Sequence, residues 1–214
     1  TKIMVVGIAN FAVQHAGMVN GHIPVSSWVY PQDRDKGFYD YALATSILDW
    51  FIEKIGPYAY QKLANVQSKT IFGGMENASA IFYSESSVSG NRRSEALIAH
   101  EIAHQWFGNM ATEKSFAHLW LSEGFATYLT TLYMKEKYGR DTMYHMLDED
   151  RKQVIAFARR SNMPVVDPKT SNYMDLLNAN SYQKGGWVLR MLHNKLGDSV
   201  FMLGIRRYYE KYAG

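Results

Sequence analysis

The stretch that decides how this chain is read is Leu97-Ile98-Ala99-His100-Glu101-Ile102-Ala103-His104-Gln105-Trp106-Phe107. On a helix, residues four apart stand nearly above one another with about 6 Å of rise between them. His100 and His104 can therefore hold one metal ion between their imidazoles. Glu101 lies about 100° round the helix from His100, so its carboxylate sits beside such an ion, where it can act on a water molecule. The apolar flanks Leu97-Ile98 and Trp106-Phe107 place the motif in the interior. A pattern this short also arises by chance in amphipathic helices, so its weight depends on its surroundings.

Working outward, the next segment is Trp120-Leu121-Ser122-Glu123-Gly124-Phe125-Ala126. A catalytic zinc takes three protein ligands and keeps one open position. The first helix supplies two ligands, and Glu123 follows His104 after 18 intervening residues, 105–122, enough for a turn and a returning helix. Two neutral imidazoles and one carboxylate around Zn2+ leave a site of net charge about +1 with room for water. The expected set is thus one zinc ion on His100, His104 and Glu123. Other divalent ions also suit these donors.

The rest of the chain supplies a frame. Apolar, partly β-branched runs predict strands over residues 3–13, 23–30 and 63–72, with 80–83 as a hairpin partner of the last. Gly17, Asn20 and Gly21 are expected to break the first strand, and Gln32-Asp33-Arg34-Asp35-Lys36-Gly37 reads as a polar turn. Helical periodicity runs over 41–55 until Gly56-Pro57, then over 94–109, 119–138, 141–160, 184–196 and 199–212. Strands first and helices later argue an α+β fold.

Composition excludes little but excludes it firmly. The 214 residues carry 23 basic and 20 acidic side chains, a net charge of +3. So small an excess builds neither a nucleic-acid surface nor a polybasic membrane anchor. There is no cysteine, hence no disulfide or thiolate-bound metal, and no apolar run approaches the ~20 residues of a transmembrane helix. The start at Thr1 reads as the end of an excised or processed piece. His15, His22, His118, His145 and His193 have no ligand spacing and are expected to be surface or packing residues. The charge runs at 33–36 and 148–152 are expected to be solvated. Trp106, Phe107, Trp120, Phe125 and Tyr128 are expected to pack as core.

His-Glu-x-x-His, 18 residues, then Glu resembles the gluzincin peptidases, and in particular the M1 aminopeptidases. Two further blocks carry the resemblance: Gly73-Gly74-Met75-Glu76-Asn77 is similar to the family's exopeptidase motif, and Ser181-Tyr182-Gln183-Lys184-Gly185 to the segment with its catalytic tyrosine. Gly74 stands where many members have alanine, and Gln183 where glutamate is frequent. The resemblance implies a thermolysin-like catalytic domain over residues 19–214, a small N-terminal sheet followed by a mainly helical subdomain. Residues 1–18 would be the trailing end of a preceding β-rich domain, and flanking domains of the full-length chain would be expected beyond this sequence.

It further implies peptide substrates with a free amino terminus. Glu101 would act as proton shuttle, Tyr182 as donor to the tetrahedral intermediate, and Gly73, Gly74, Met75, Glu76 and Asn77 as the substrate-binding segment. A fixed anion at Glu76 suits an α-ammonium group and disfavours blocked termini, which argues against an endopeptidase. A bifunctional branch of the family also opens an epoxide. Here Met174-Asp175-Leu176-Leu177-Asn178-Ala179 offers one acid and no tyrosine for that chemistry. A non-catalytic peptide-binding relative would be expected to lack a ligand or the base, and all are present.

Overall fold

The computed structural model of the protein describes residues 5–214, which divide into two compact units on either side of the Gln105–Trp106 bond. The fold class is α+β, as expected. Among the described residues no helix is long and apolar enough to cross a membrane.

The first unit is built on a five-stranded mixed sheet of order β1-β2-β3-β5-β4. β1 (Ala12–Val19) and β2 (Ile23–Val29) form an antiparallel hairpin. The first strand therefore differs from the expected 3–13, of which residues 3 and 4 lie outside the described residues. Two glycine-containing sites account for the shift. Gly17, at φ 139°, bulges the strand without ending it, and Asn20 and Gly21, at φ 49° and 71°, supply the left-handed pair of a tight hairpin turn.

The polar run after β2 is helical, not a turn: a 3-10 turn at Pro31–Asp33 leads into α1 (Arg34–Tyr41). Its inner face is Gly37, Asp40 and Tyr41, and a Cβ at Gly37 would meet Val29 Cγ1 at 2.5 Å, so glycine lets the helix lie against β2. α2 (Leu43–Lys54) follows and ends before Gly56, at φ 143°. These helices form the crossover that lets β3 (Leu63–Ser68) pair parallel with β2. β5 (Ala80–Ser84) also pairs parallel with β3, which corrects the expected hairpin. Residues 69–79 are long enough to carry the chain out to β4 (Gly74–Met75) and back. β4 is the antiparallel partner of β5 and an edge of the sheet. Ile23, Val25, Ile47, Leu48, Phe51, Leu63, Ile81 and Tyr83 form the core of this unit, with Ile98 and Ile102 of α3 (Glu95–Ala103).

Asp40 is fully buried and fixes the approach to α3. Its carboxylate accepts the backbone N–H groups of Ser89, Gly90 and Arg92 at 2.6, 2.8 and 2.8 Å, and the Ser89 hydroxyl at 3.0 Å. A charge so enclosed is tolerated because every bond to it is charge-assisted. Gly90 and Arg92, at φ 75° and 62°, turn the loop around it, and Arg92 C=O then accepts the Glu95 N–H that opens α3.

The second unit is helical: α4 (Trp120–Tyr138), α5 (Arg140–Ala158), α6 (Gly185–Leu196) and α7 (Asp198–Tyr212). Gly139 and Gly197, at φ 94° and 77°, turn the chain between helices. The expected aromatic core is present: Trp106, Phe107, Phe125 and Tyr128 are buried, Trp120 is half-buried, and Phe107 stacks on Phe125 with centroids 4.4 Å apart. The 148–152 run is solvated except at the half-buried Asp150, with Asp148 paired to Arg151 and Lys152 on α5. His193 packs as expected. It is buried on Phe201, and its ring nitrogens bond the Tyr128 hydroxyl and Asp198, each at 2.7 Å.

Candidate metal centre

α3 carries His100 and Glu101 in its last turns, and His104 is its C-cap. Glu101 and His104 are buried, His100 half-buried. The two Nε2 atoms stand 3.1 Å apart and the rings are inclined at 83°. Two nitrogens each ~2.0–2.1 Å from a tetrahedral zinc would be about 3.4 Å apart, so the pair has the spacing of two ligands to one ion. Glu123 lies in the first turn of α4, where the helix dipole favours an anion. One ligand atom each from His100, His104 and Glu123 lie within 4.8 Å of one another. Imidazole, imidazole and carboxylate form the three-protein-ligand set of a catalytic zinc, and the residues fit that ion.

α3 is shorter than the expected 94–109. The backbone tightens as Gln105 N–H bonds Ile102 C=O. Gly108, at φ 124°, then reverses the chain so that Phe107 bridges Ala111. A glycine there permits the turn, and the apolar Trp106-Phe107 pair is buried without being helical.

The exopeptidase-like segment borders the same helix. Gly74 and Met75 form β4, Gly73 C=O accepts the Ser84 N–H, and Glu76 and Asn77 follow in the loop to β5. A Cβ at Gly73 would find ordinary contact with Leu97, whereas one at Gly74 would overlap the Glu101 carboxyl group. Of the two glycines, only Gly74 would bring a Cβ into close contact, and what it would meet is the movable end of the Glu101 side chain.

Tyr182 belongs to the helical unit, in a π-turn, Asn180–Lys184, whose Lys184 N–H reaches back five residues to Ala179 C=O. Periodicity did not show this element, which inserts a residue ahead of α6; such insertions are frequent at functional sites. Asn180 anchors it, donating to Met163 C=O at 2.6 Å. Two groups beside the motifs were passed over in the sequence. Gly124, next to Glu123, meets Gly185 backbone to backbone. Gln105, next to His104, bonds the loop that carries Glu76. Neither has a periodic signature, but both adjoin residues that do.

A His/His pair on one helical turn with a carboxylate beside it is the helix arrangement of a zinc-peptidase motif. The chain belongs to peptidase family M1, whose domain model matches residues 39–214. It is 30% identical over 215 residues to Aminopeptidase 2 of Candida albicans and 31% over 214 residues to Aminopeptidase N of the dog, in each case 90% of this chain and 22% of the relative. The chain thus spans about a fifth of the length of these relatives. The fold is that of solved structures of leukotriene A4 hydrolase from Saccharomyces cerevisiae (TM-score 0.86, 21% identity, 95% of this chain and 33% of that one) and of an M1 zinc metallopeptidase from Deinococcus radiodurans (TM-score 0.70, 20% identity, 95% and 45%).

Proposed function

We propose that this chain is the zinc-binding core of an aminopeptidase that hydrolyses the first peptide bond of peptides with a free amino terminus. The observation that supports this most is the convergence of one ligand atom each from His100, His104 and Glu123, with Glu101 on the same turn as the histidines. Zinc held by those three residues supplies Lewis-acid polarisation of the scissile carbonyl and of water. The Glu101 carboxylate takes the proton of the attacking water and passes it to the leaving nitrogen. The Tyr182 phenol, a donor at neutral pH, gives a hydrogen bond to the oxygen that gains negative charge. Glu76 accepts from the substrate's α-ammonium group. β4, as an edge strand, offers backbone groups to an extended peptide. Residues 1–18 belong in this reading to the end of a preceding β-rich domain and 19–214 to the catalytic domain.

The epoxide-opening alternative has no specific observation in its favour. Asp175, the one acid in the stretch before Tyr182, is exposed and bonded to Asn172.

The test is an assay of the full-length protein on free and N-acetylated aminoacyl-arylamides, with zinc and with chelator. Cleavage of the free form alone, abolished by chelator, is expected. Glu101→Gln should retain the metal and lose ~10²–10⁴-fold in kcat. Equal cleavage of the acetylated form, or full activity in the variant, would overturn the assignment.

A further inference from the structure

Gln105 is 1% exposed and carries an amide that the chemistry above does not use. Both ends of that amide are engaged with one loop. Nε2 donates to Glu76 C=O at 3.0 Å, and Oε1 accepts the Ser79 N–H at 2.9 Å. The pairing fixes the amide orientation, since a flip would set donor against donor and acceptor against acceptor. The side chain starts from a fixed point, because the Gln105 N–H bonds Ile102 C=O immediately after the His104 cap.

The loop is also tied to the sheet, where Ser79 C=O accepts the Ala64 N–H at 2.9 Å and Asn77 C=O the Ala80 N–H at 3.1 Å. β4 ahead of it is two residues long, and the Asn77 side chain reaches Met75 C=O only at 3.4 Å. Ser79 takes φ 65°, a left-handed backbone that a serine keeps only when its neighbours hold it. Gln105 supplies such a hold, bonding the loop on both sides of Asn77.

We propose that Gln105 is a positioning residue that fixes Glu76 relative to the metal-ligating turn of α3, and so sets the enzyme's discrimination for a free α-ammonium group. This rests on the aminopeptidase reading. The bond to an ammonium group is directional, and misplacement by about 1 Å can cost on the order of 100-fold. Gln105→Met keeps the volume and apolar stem but leaves Glu76 C=O and the Ser79 N–H without their partner, so the loop can drift.

The experiment compares wild type, Gln105→Met, Glu76→Gln and the double variant in the full-length protein. It measures zinc content, and kcat and KM for a free and an N-acetylated aminoacyl-arylamide. Gln105→Met should raise KM for the free substrate roughly 10-fold or more, with zinc content and kcat nearly unchanged. The ratio of kcat/KM between the two substrates should fall towards that of Glu76→Gln. In the double variant the second substitution should add little, because both act through one interaction. That ratio does not depend on the active fraction of a preparation, so partial unfolding cannot mimic the effect; if Gln105→Met does not fold, Gln105→Glu takes its place. Undiminished discrimination in Gln105→Met, or additive losses, would overturn the inference. A wild type that does not prefer the free substrate would instead overturn the aminopeptidase reading itself.

Discussion

At single residues, the tightest constraint on the proposed chemistry is position 74. A Cβ there would overlap the Glu101 carboxyl group. The group that must give way is the end of a flexible side chain, so Gly74→Ala should leave the fold intact, with a stability change of no more than ~1 kcal/mol. The displaced carboxylate should lower kcat by roughly 10-fold with KM little changed, as steady-state kinetics beside thermal unfolding would show. A kcat equal to wild type would mean that Glu101 works from another rotamer. Asp150 on α5 tests the electrostatics away from the centre. Burial, with the charge of Glu149 second, pushes its carboxyl up to about 6. A folded-state value above the unfolded one means that the native state holds its proton longer. Stability should therefore fall as pH rises from about 4 to 6 and stay lowered above that. Asp150→Asn removes the effect: denaturant unfolding should show the variant more stable than wild type at pH 7, with the difference vanishing near pH 4.

Among the elements, the decisive contact is between α4 and the start of α6. A Cβ on Gly124 would meet Gly185 C at 2.8 Å and Cα at 2.9 Å, and a Cβ on Gly185 would meet Gly124 Cα at 3.0 Å. Only backbone faces backbone, so nothing can rotate aside. Gly124 adjoins the proposed ligand Glu123, and Gly185 closes the π-turn that carries Tyr182. Gly124→Ala should force the helices apart at a cost of ~1–3 kcal/mol. Activity per folded molecule should fall further than stability does, measured as kcat against Tm. The same region shows what sequence can convey. Helices α4 to α7 begin and end within about two residues of where period and glycine breakers put them, because those signals are local. The placing of His100 and His104 on one helical turn was legible for the same reason: four-residue spacing is a property of one helix. α1 was misread because its buried face is a glycine, an aspartate and a tyrosine, which look polar until β2 and residues 89–92 are beside them. The parallel pairing of β5 with β3 and the bonds of Gln105 were hidden because each depends on residues distant in sequence, and the early end of α3 because the apolar pattern runs on through Trp106-Phe107 while Gly108 turns the backbone.

At the scale of the whole molecule, the proposed centre draws on His100, His104 and Glu123, so binding an ion should couple these distant stretches of chain to one equilibrium. An ion that binds the folded state alone stabilises it by about 2.7 kcal/mol at a free concentration 100 times Kd. Tm should therefore rise on adding zinc to chelator-stripped protein and fall again with chelator. His100→Ala, His104→Ala and Glu123→Ala should each remove most of that increment, since a lost ligand weakens binding, whereas Glu101→Gln should keep it in full. The comparison separates ligands from the proposed base without any substrate. A Glu123→Ala protein whose Tm still rises with zinc as much as wild type would remove Glu123 from the ligand set. A Glu101→Gln protein that loses the rise would move Glu101 into it, and with that the proton-shuttle assignment would fail.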